Sequence, residues 1–331
     1  VRNPLGELDA SRLLAPAGAV LDLADEALEP VRSGIASSVR AVFRSDDDGD
    51  PLEPFRQPIG DPGWFGPDSV TWRVHEEFGA LFVGGVAALM LQALHPLALA
   101  GVEEHSSYRE DPRGRLLRTG AFVGAVTFGP TAMAEQNVAM VSKMHSRVVG
   151  IAPDGRPYAA TDPELLTWVH ASEYAMFLAA YQRYGPSRLS DSDADRYLDE
   201  VAVVAMQLGA SWVPHTTDEM DAYLQRVQRD LYCGPQARTA FEFLTAGARA
   251  DAATTAAYRL IATAALDLLP PWAREMAGRR DLLPHEQLAV RTATRGLVNT
   301  LRWALGPGDL VATARSRANG GSPGATAAPA A

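Results

Sequence analysis

The chain has 331 residues, 47% of them hydrophobic, with a formal net charge of −10 and a pI near 5.2. That is enough apolar material for a sizeable core without covalent staples, and the acidic balance excludes an electrostatic nucleic-acid binder, which needs a basic face to neutralise phosphates. The single cysteine, Cys233, excludes an intramolecular disulfide and a cysteine-rich zinc cluster. It permits a reducing compartment, so a cytoplasmic location is expected.

In chain order, Leu13 to Arg44 reads as helix, and 45–67 as an acidic loop rich in proline and glycine. Its run Asp46-Asp47-Asp48-Gly49-Asp50 lacks the bidentate glutamate that closes a calcium loop, so a solvated charged loop is expected. The stretch Gly79 to Gly101 is long enough to span a bilayer. It is interrupted by Gln92, His95 and Pro96 and flanked by Glu76, Glu77, Glu103 and Glu104, so it reads as a buried core helix ending near His95, and no membrane span is expected. From Trp72 onward the pattern is helix after helix: 71–95, 113–127, 131–150, 162–184, 190–208, 217–231, 235–248, 253–269 and 284–305. Asp162-Pro163-Glu164 opens one helix and Gly185-Pro186 closes it, while Ser190-Asp191-Ser192-Asp193 opens the next. Strand alternation is absent for any useful length. The expected organisation is an N-terminal helical extension with its loop over 1–70, an all-α domain over 71–308, and a flexible tail over 309–331.

An all-α multi-helix bundle removes several chemistries. There is no Gly-x-Gly-x-x-Gly after a strand, no phosphate-binding loop and no Gly-x-Ser-x-Gly elbow. Helical proteins build cofactor sites from side chains on facing helices. Di-iron bundles use Glu-x-x-His, yet the residues three before the seven histidines are Trp72, Gln92, Val102, Ser142, Thr167, Trp212 and Leu282. No two histidines lie four apart, so zinc-protease spacing fails as well. A single-histidine site remains, and haem needs one neutral imidazole, an apolar pocket, and cations or hydroxyls for two propionates.

His145 near the end of the 131–150 helix fits the ligand role on local grounds. Arg115, Arg118 and Thr119 are spaced i, i+3, i+4, which puts two guanidiniums and a hydroxyl on one helix face. The blander readings stand beside this. A lone histidine on an apolar helix is more often a hydrogen-bonded core residue, and an arginine pair in a first turn is more often solvated. Trp168, Trp212 and Trp303 read as core anchors, and Met133, Met140 and Met144 as fillers of core gaps. His75, His215 and His285 stand in polar contexts and receive no role.

Three blocks then follow one another: Leu91-Gln92-Ala93-Leu94-His95-Pro96, Gly101-Val102-Glu103-Glu104-His105-Ser106 and Asp111-Pro112-Arg113-Gly114-Arg115-Leu116-Leu117-Arg118-Thr119. Further on come His145-Ser146-Arg147-Val148-Val149-Gly150, Tyr158 with Asp162-Pro163, and Leu166-Thr167-Trp168-Val169-His170-Ala171. In that order they resemble the rubber-oxygenase catalytic-domain family, which includes latex clearing proteins and the membrane-bound oxygenase of mycophenolic acid biosynthesis.

The resemblance implies haem b in a globin-like helical core and oxygen chemistry at its iron. It places the iron ligand at His145, leaving the opposite face for dioxygen. The family's Arg-x-x-Lys-Thr motif falls on Arg115, Arg118 and Thr119, and a further family histidine falls on His170 as a cofactor-pocket residue. Where the latex clearing type carries lysine, this chain has Arg118, which stays protonated and is a poor iron ligand, so polyisoprene cleavage is not the expected reaction. Leu116, Leu117, Phe122, Val123 and Val126 imply an apolar lining, hence oxygenation or oxidative cleavage of an apolar small molecule. The alternative is a non-catalytic helical protein that binds an apolar ligand or haem. Association with further copies of the chain stays open.

Overall fold

The computed structural model describes residues 28–37, 50–246 and 252–321. Most of the early helix expected over 13–44, and the aspartates before Asp50, lie outside them. Residues 28–37 are helical and are termed α1. After a 3-10 turn at Glu53–Phe55 come α2 (Val70–His75), α3 (Phe78–Gln92), α4 (Pro96–His105), α5 (Pro112–Phe128) and α6 (Thr131–His145). A hairpin of β1 (Val149–Ile151) and β2 (Pro157–Ala159) leads to α7 (Pro163–Tyr184) and α8 (Asp191–Leu208). The remaining helices are α9 (Thr217–Val227), α10 (Pro235–Ala246), α11 (Ala252–Leu268), α12 (Pro271–Met276), α13 (Pro284–Leu305) and α14 (Asp309–Ala318).

The helical architecture is as expected, with local differences that have physical causes. The helix read over 71–95 breaks at Glu76-Glu77. Both carboxylates form ion pairs with later helices, Glu76 with Arg315 and Glu77 with Arg302. The core helix ends near His95 as expected, at Gln92, and His95 then opens α4, its Nδ1 accepting from the Ala98 amide with Pro96 in the first turn. The helix read to Gly150 stops at His145, and Val149 to Ile151 instead pair antiparallel with Pro157 to Ala159, in the register Gly150↔Tyr158. Residues 309–318, expected as tail, form α14. Its Arg317 is 1% exposed and donates to the carbonyls of Asp61, Phe55 and Phe128, fastening the helix to the N-terminal loop and to the end of α5.

The core is built around α3 and α7. Gly84 lets them approach: a Cβ there would lie 2.9 Å from the Met176 carbonyl oxygen and 3.1 Å from Cα of Phe177. Gln92 at the other end of α3 donates to the Val169 carbonyl, so the two helices run antiparallel, Gly84 beside Phe177 and Gln92 beside Val169. Buried side chains of α8, α9, α10, α11 and α13 pack around this pair. On the α11 side, Asp267 is buried and takes ion pairs from Arg183 of α7 at 2.9 Å and Arg291 of α13 at 2.7 Å.

The α5–α6 hairpin stands on the other side. It packs on α2, α8 and α14 and makes little or no close backbone contact with α3 or α7. Asp61 holds its turn, accepting from the Thr131 amide and hydroxyl. Among the described residues no single helix is long and apolar enough to cross a membrane. The bent pair α3 and α4 would reach that length together, but most of α3 is core.

Candidate functional site

Asp111 starts α5 by accepting from the Gly114 amide, with Pro112 in the first turn, so Arg115 falls one turn into the helix. The helix runs to a short turn at Gly129-Pro130 and returns as α6. Because the two pack on each other and are of similar length, the first turns of α5 and the last turn of α6 lie at the same end of the hairpin. Arg115 and His145 therefore share that end.

His145 closes α6. It is half-buried, its Nδ1 is shielded from water and has no hydrogen-bond partner, and burial holds the imidazole below its ordinary pKa. At pH 7 it is neutral, as a metal ligand must be. Arg115 is half-buried. Its Nη1 donates to the Ser106 hydroxyl at 2.7 Å, and no carboxylate among the described residues pairs with it. Burial, then the nearby Arg118 charge, lowers its pKa. This is a guanidinium in want of an anion.

The other expected residues sit differently. Arg118 is 64% exposed at its side chain and lies 3.4 Å from Asp111, and Thr119 is exposed, so neither shares the enclosure of Arg115. Leu116, Leu117 and Phe122 are half-buried, while Val123 and Val126 belong to the core between helices. His170 lies on α7, buried, with its ring 4.4 Å from that of Tyr174. Its Nε2 has no partner, and burial pushes it down to about 3.

Several residues were legible only in part. His75, given no role above, is buried between α2, α5 and α8, with Nδ1 2.8 Å from the Thr127 hydroxyl and Nε2 3.0 Å from that of Tyr197. Desolvation takes it down to about 3, so it is a neutral core connector. On α4, Glu103 accepts from Tyr108 and Arg109, both at 2.6 Å, and Glu104 accepts from the Tyr158 hydroxyl. Gly150 lies across from this last bond, where a Cβ would come 2.5 Å from the Tyr158 oxygen. Met140 and Met144 are 55% exposed rather than core fillers, and Trp212 and Trp303 are also exposed, leaving Trp168 as the buried anchor of the three. Glu173 of α7 escaped the sequence reading altogether. It makes no hydrogen bond or ion pair with any described residue, and burial pushes its carboxyl up to about 7.

A concavity of about 250 Å³ lies between the start of α3 and the end of α13, lined by Glu76, Glu77, Phe78 and Arg302. Its charges are paired, Glu77 with Arg302 and Glu76 with Arg315, whereas His145, His170 and Arg115 form no ion pair with a described residue. No group of three or more His, Cys, Asp or Glu that could hold a metal occurs among the described residues. A haem iron asks for one protein ligand, and the unbonded ring nitrogen of His145 with the anion-free Arg115 fits that demand.

A helical domain with a water-shielded, unbonded imidazole and a guanidinium without a carboxylate at one end of a hairpin, and a second such imidazole on α7, suits a prosthetic group that brings both a metal and anions. Residues 72–303, more than half of the chain, match the family described as ER-bound oxygenase mpaB/B'/Rubber oxygenase, catalytic domain. The chain belongs to this family and is an oxidoreductase of the oxygenase type. No curated protein and no solved structure matches it.

Proposed function

We propose that this protein is a haem b-dependent oxygenase acting with dioxygen on an apolar small molecule, and that His145 is the iron ligand. The carrying observation is the Nδ1 of His145, buried and unbonded within the segment that matches the oxygenase family. An unsatisfied buried polar atom costs about 1–3 kcal/mol, and a fold that keeps one has a use for the ring. When bound, haem supplies the redox centre at which dioxygen reacts.

The chain's own residues do the rest. His145 stays neutral because burial disfavours its cation, so it offers a lone pair rather than a proton. Arg115 supplies fixed positive charge in a desolvated place, where it holds a propionate or stabilises negative charge that develops on oxygen. Arg118, exposed beside Asp111, offers the iron no lone pair and serves the rim of the site with Thr119. His170 presents a second neutral ring from α7. The exposed apolar side chains Leu89 of α3, Val169 of α7, and Met140 and Met144 of α6 supply hydrocarbon surface for an apolar substrate.

The test is reconstitution with haemin and an absorbance spectrum before and after dithionite. The wild-type protein should show a Soret band that shifts on reduction. His145→Ala should lose it while far-UV circular dichroism stays unchanged. A wild-type protein that takes up no haem, or a His145→Ala protein with an unaltered spectrum, would overturn the assignment.

A further inference from the structure

The buried ring of His75 on α2 sits between two hydroxyls, that of Thr127 on α5 at 2.8 Å from Nδ1 and that of Tyr197 on α8 at 3.0 Å from Nε2. The direction of these bonds follows from the two hydroxyls. A phenol is the stronger acid and the poorer acceptor, so the favoured tautomer carries its proton on Nδ1, donates to Thr127 and accepts the Tyr197 O–H at Nε2. Thr127 lies in a helix, where its own hydrogen still reaches a carbonyl one turn back. In the opposite arrangement the Tyr197 O–H would be stranded in the core, because Tyr197 has no other hydrogen-bond partner among the described residues. Tyr197 thus has a neutral base at bonding distance.

Burying a phenol in this core does not by itself require that base. Tyr184 is as fully buried, and its hydroxyl has no partner. What sets Tyr197 apart is chemistry open to it alone: withdrawing an electron from a phenol turns its O–H into a strong acid, so a buried tyrosine is readily oxidised where a neighbouring base takes the proton. An aromatic row leads away from the pair. The ring of Tyr174 on α7 lies 6.1 Å from that of Tyr197 and 4.4 Å from that of His170, and it stacks on His75 at 6.0 Å. All four side chains are buried. The row therefore joins the Tyr197–His75 pair to the imidazole that α7 presents to the proposed haem pocket.

We propose that Tyr197 is a redox-active tyrosine with His75 as its proton acceptor, and that it discharges the haem when a peroxide has oxidised it in the absence of substrate. Tyr197 gives one electron by way of Tyr174 and His170 to the oxidised haem. Its O–H bond breaks and the proton forms an N–H bond at Nε2 of His75, which leaves a neutral phenoxyl radical beside an imidazolium. A one-electron reductant such as ascorbate then returns the electron, and the proton moves back from Nε2 to the phenolic oxygen. Hydrogen peroxide takes two electrons from the haem and two protons from solvent to give two waters, so two such turns restore the haem. The inference rests on the reading that this protein holds haem, and it adds a peroxide-discharging activity to the oxygenase.

The experiment adds hydrogen peroxide to the full haemin-loaded chain, freezes it within seconds and records electron paramagnetic resonance, for wild type, Tyr197→Phe, His75→Gln and Tyr184→Phe. Wild type should give an organic radical whose signal narrows when the tyrosine rings are deuterated and changes when histidine carries a nitrogen isotope. Tyr197→Phe should lose it. His75→Gln should lose it too, since an amide can hold the phenol by a hydrogen bond but cannot take its proton. Tyr184→Phe should keep it. Before peroxide the Soret band of Tyr197→Phe should match wild type, and in peroxide it should bleach several-fold faster. A radical that survives Tyr197→Phe, or a wild type that loads haem and forms none, would overturn the proposal while the oxygenase reading stands. So would imidazole nitrogen resonances of the apoprotein that put the His75 proton on Nε2. Should wild type take up no haem, the oxygenase reading fails, and flash-generated ruthenium(III) tris-bipyridine serves as the oxidant instead. The redox pair then stands if Tyr197→Phe removes a radical component and falls if it removes none.

Discussion

Replacing Arg115 by methionine should make the apoprotein more stable and the haem-loaded protein weaker. The guanidinium is desolvated, is repelled by Arg118 on the same helix, and has one hydrogen bond, to Ser106 at 2.7 Å. Burying an unpaired charge costs several kcal/mol after relaxation, while a hydrogen bond to a charged group returns about 1.5–3 kcal/mol. Methionine fills a similar volume without strain, so Arg115→Met should gain about 1–3 kcal/mol in apo stability, read as a higher urea midpoint at unchanged slope. With haemin present the order should reverse, because the variant loses a charge-assisted bond to an anion and with it about tenfold or more in affinity. An apo variant less stable than wild type would refute the reasoning, since it would mean that Arg115 is held by its surroundings and needs no external anion.

Asp267→Asn should cost about 3–5 kcal/mol, because it removes the shared anion of Arg183 and Arg291. A urea titration that shows less than 1 kcal/mol would contradict the pairing. Gly150→Ala drives a methyl against the Tyr158 hydroxyl and Glu104, and should cost about 1–3 kcal/mol. Tyr158→Phe in the same background should recover part of that loss, and no recovery would place the strain elsewhere. Stability should also fall in mild acid. His75 and His170 are held near 3 and His95 near 4 against an ordinary 6.5, all chiefly by burial, so the unfolded chain binds their protons first and stability drains away as pH drops below 6.5. Glu173, raised to about 7, works the other way between 7 and its ordinary 4.5. The imidazoles, His145 among them, outweigh the acid and leave a loss of about 1–3 kcal/mol per pH unit from 6.5 to 4.5. A melting temperature that stays level from pH 7 to 5 would show that these imidazoles are not desolvated.

Where the sequence carried a local signal, it was readable. Asp162 and Ser190 announce α7 and α8 as N-caps, and both accept from backbone amides two or three residues on. Strong helical periodicity identified most of the long helices to within a few residues. Misses have two origins. The hairpin after His145 is three residues per strand, too short for alternation to register, although Asp154-Gly155, with Gly155 at a φ of +87°, was a turn signal between the strands. Exposure is the other, because periodicity tells which face is apolar but not what packs on it. Met140 and Met144 read as core by composition, yet the α5–α6 hairpin stands clear of α3 and α7 and leaves them open. For the same reason the i, i+3, i+4 spacing of Arg115, Arg118 and Thr119 could not reveal that only the first is half-buried. Glu173 was invisible because an isolated glutamate in a helix is ordinarily solvated, and its isolation is a property of the tertiary fold.

The buried polar groups without a partner differ in what could meet them. Around α11 and α13 every buried charge has a partner: Asp267 with its two arginines, and Arg274 donating to backbone carbonyls. Of the six buried side-chain atoms without a partner among the described residues, two are imidazole nitrogens, of His145 on α6 and His170 on α7. The indoles of Trp72 and Trp168 and the hydroxyls of Tyr184 and Thr294 are buried without a partner as well and carry the same kind of cost. An imidazole nitrogen can give its lone pair to a metal, which an indole N–H cannot, so if haem binds as proposed, the cost of leaving the His145 ring unbonded is one that ligation would relieve.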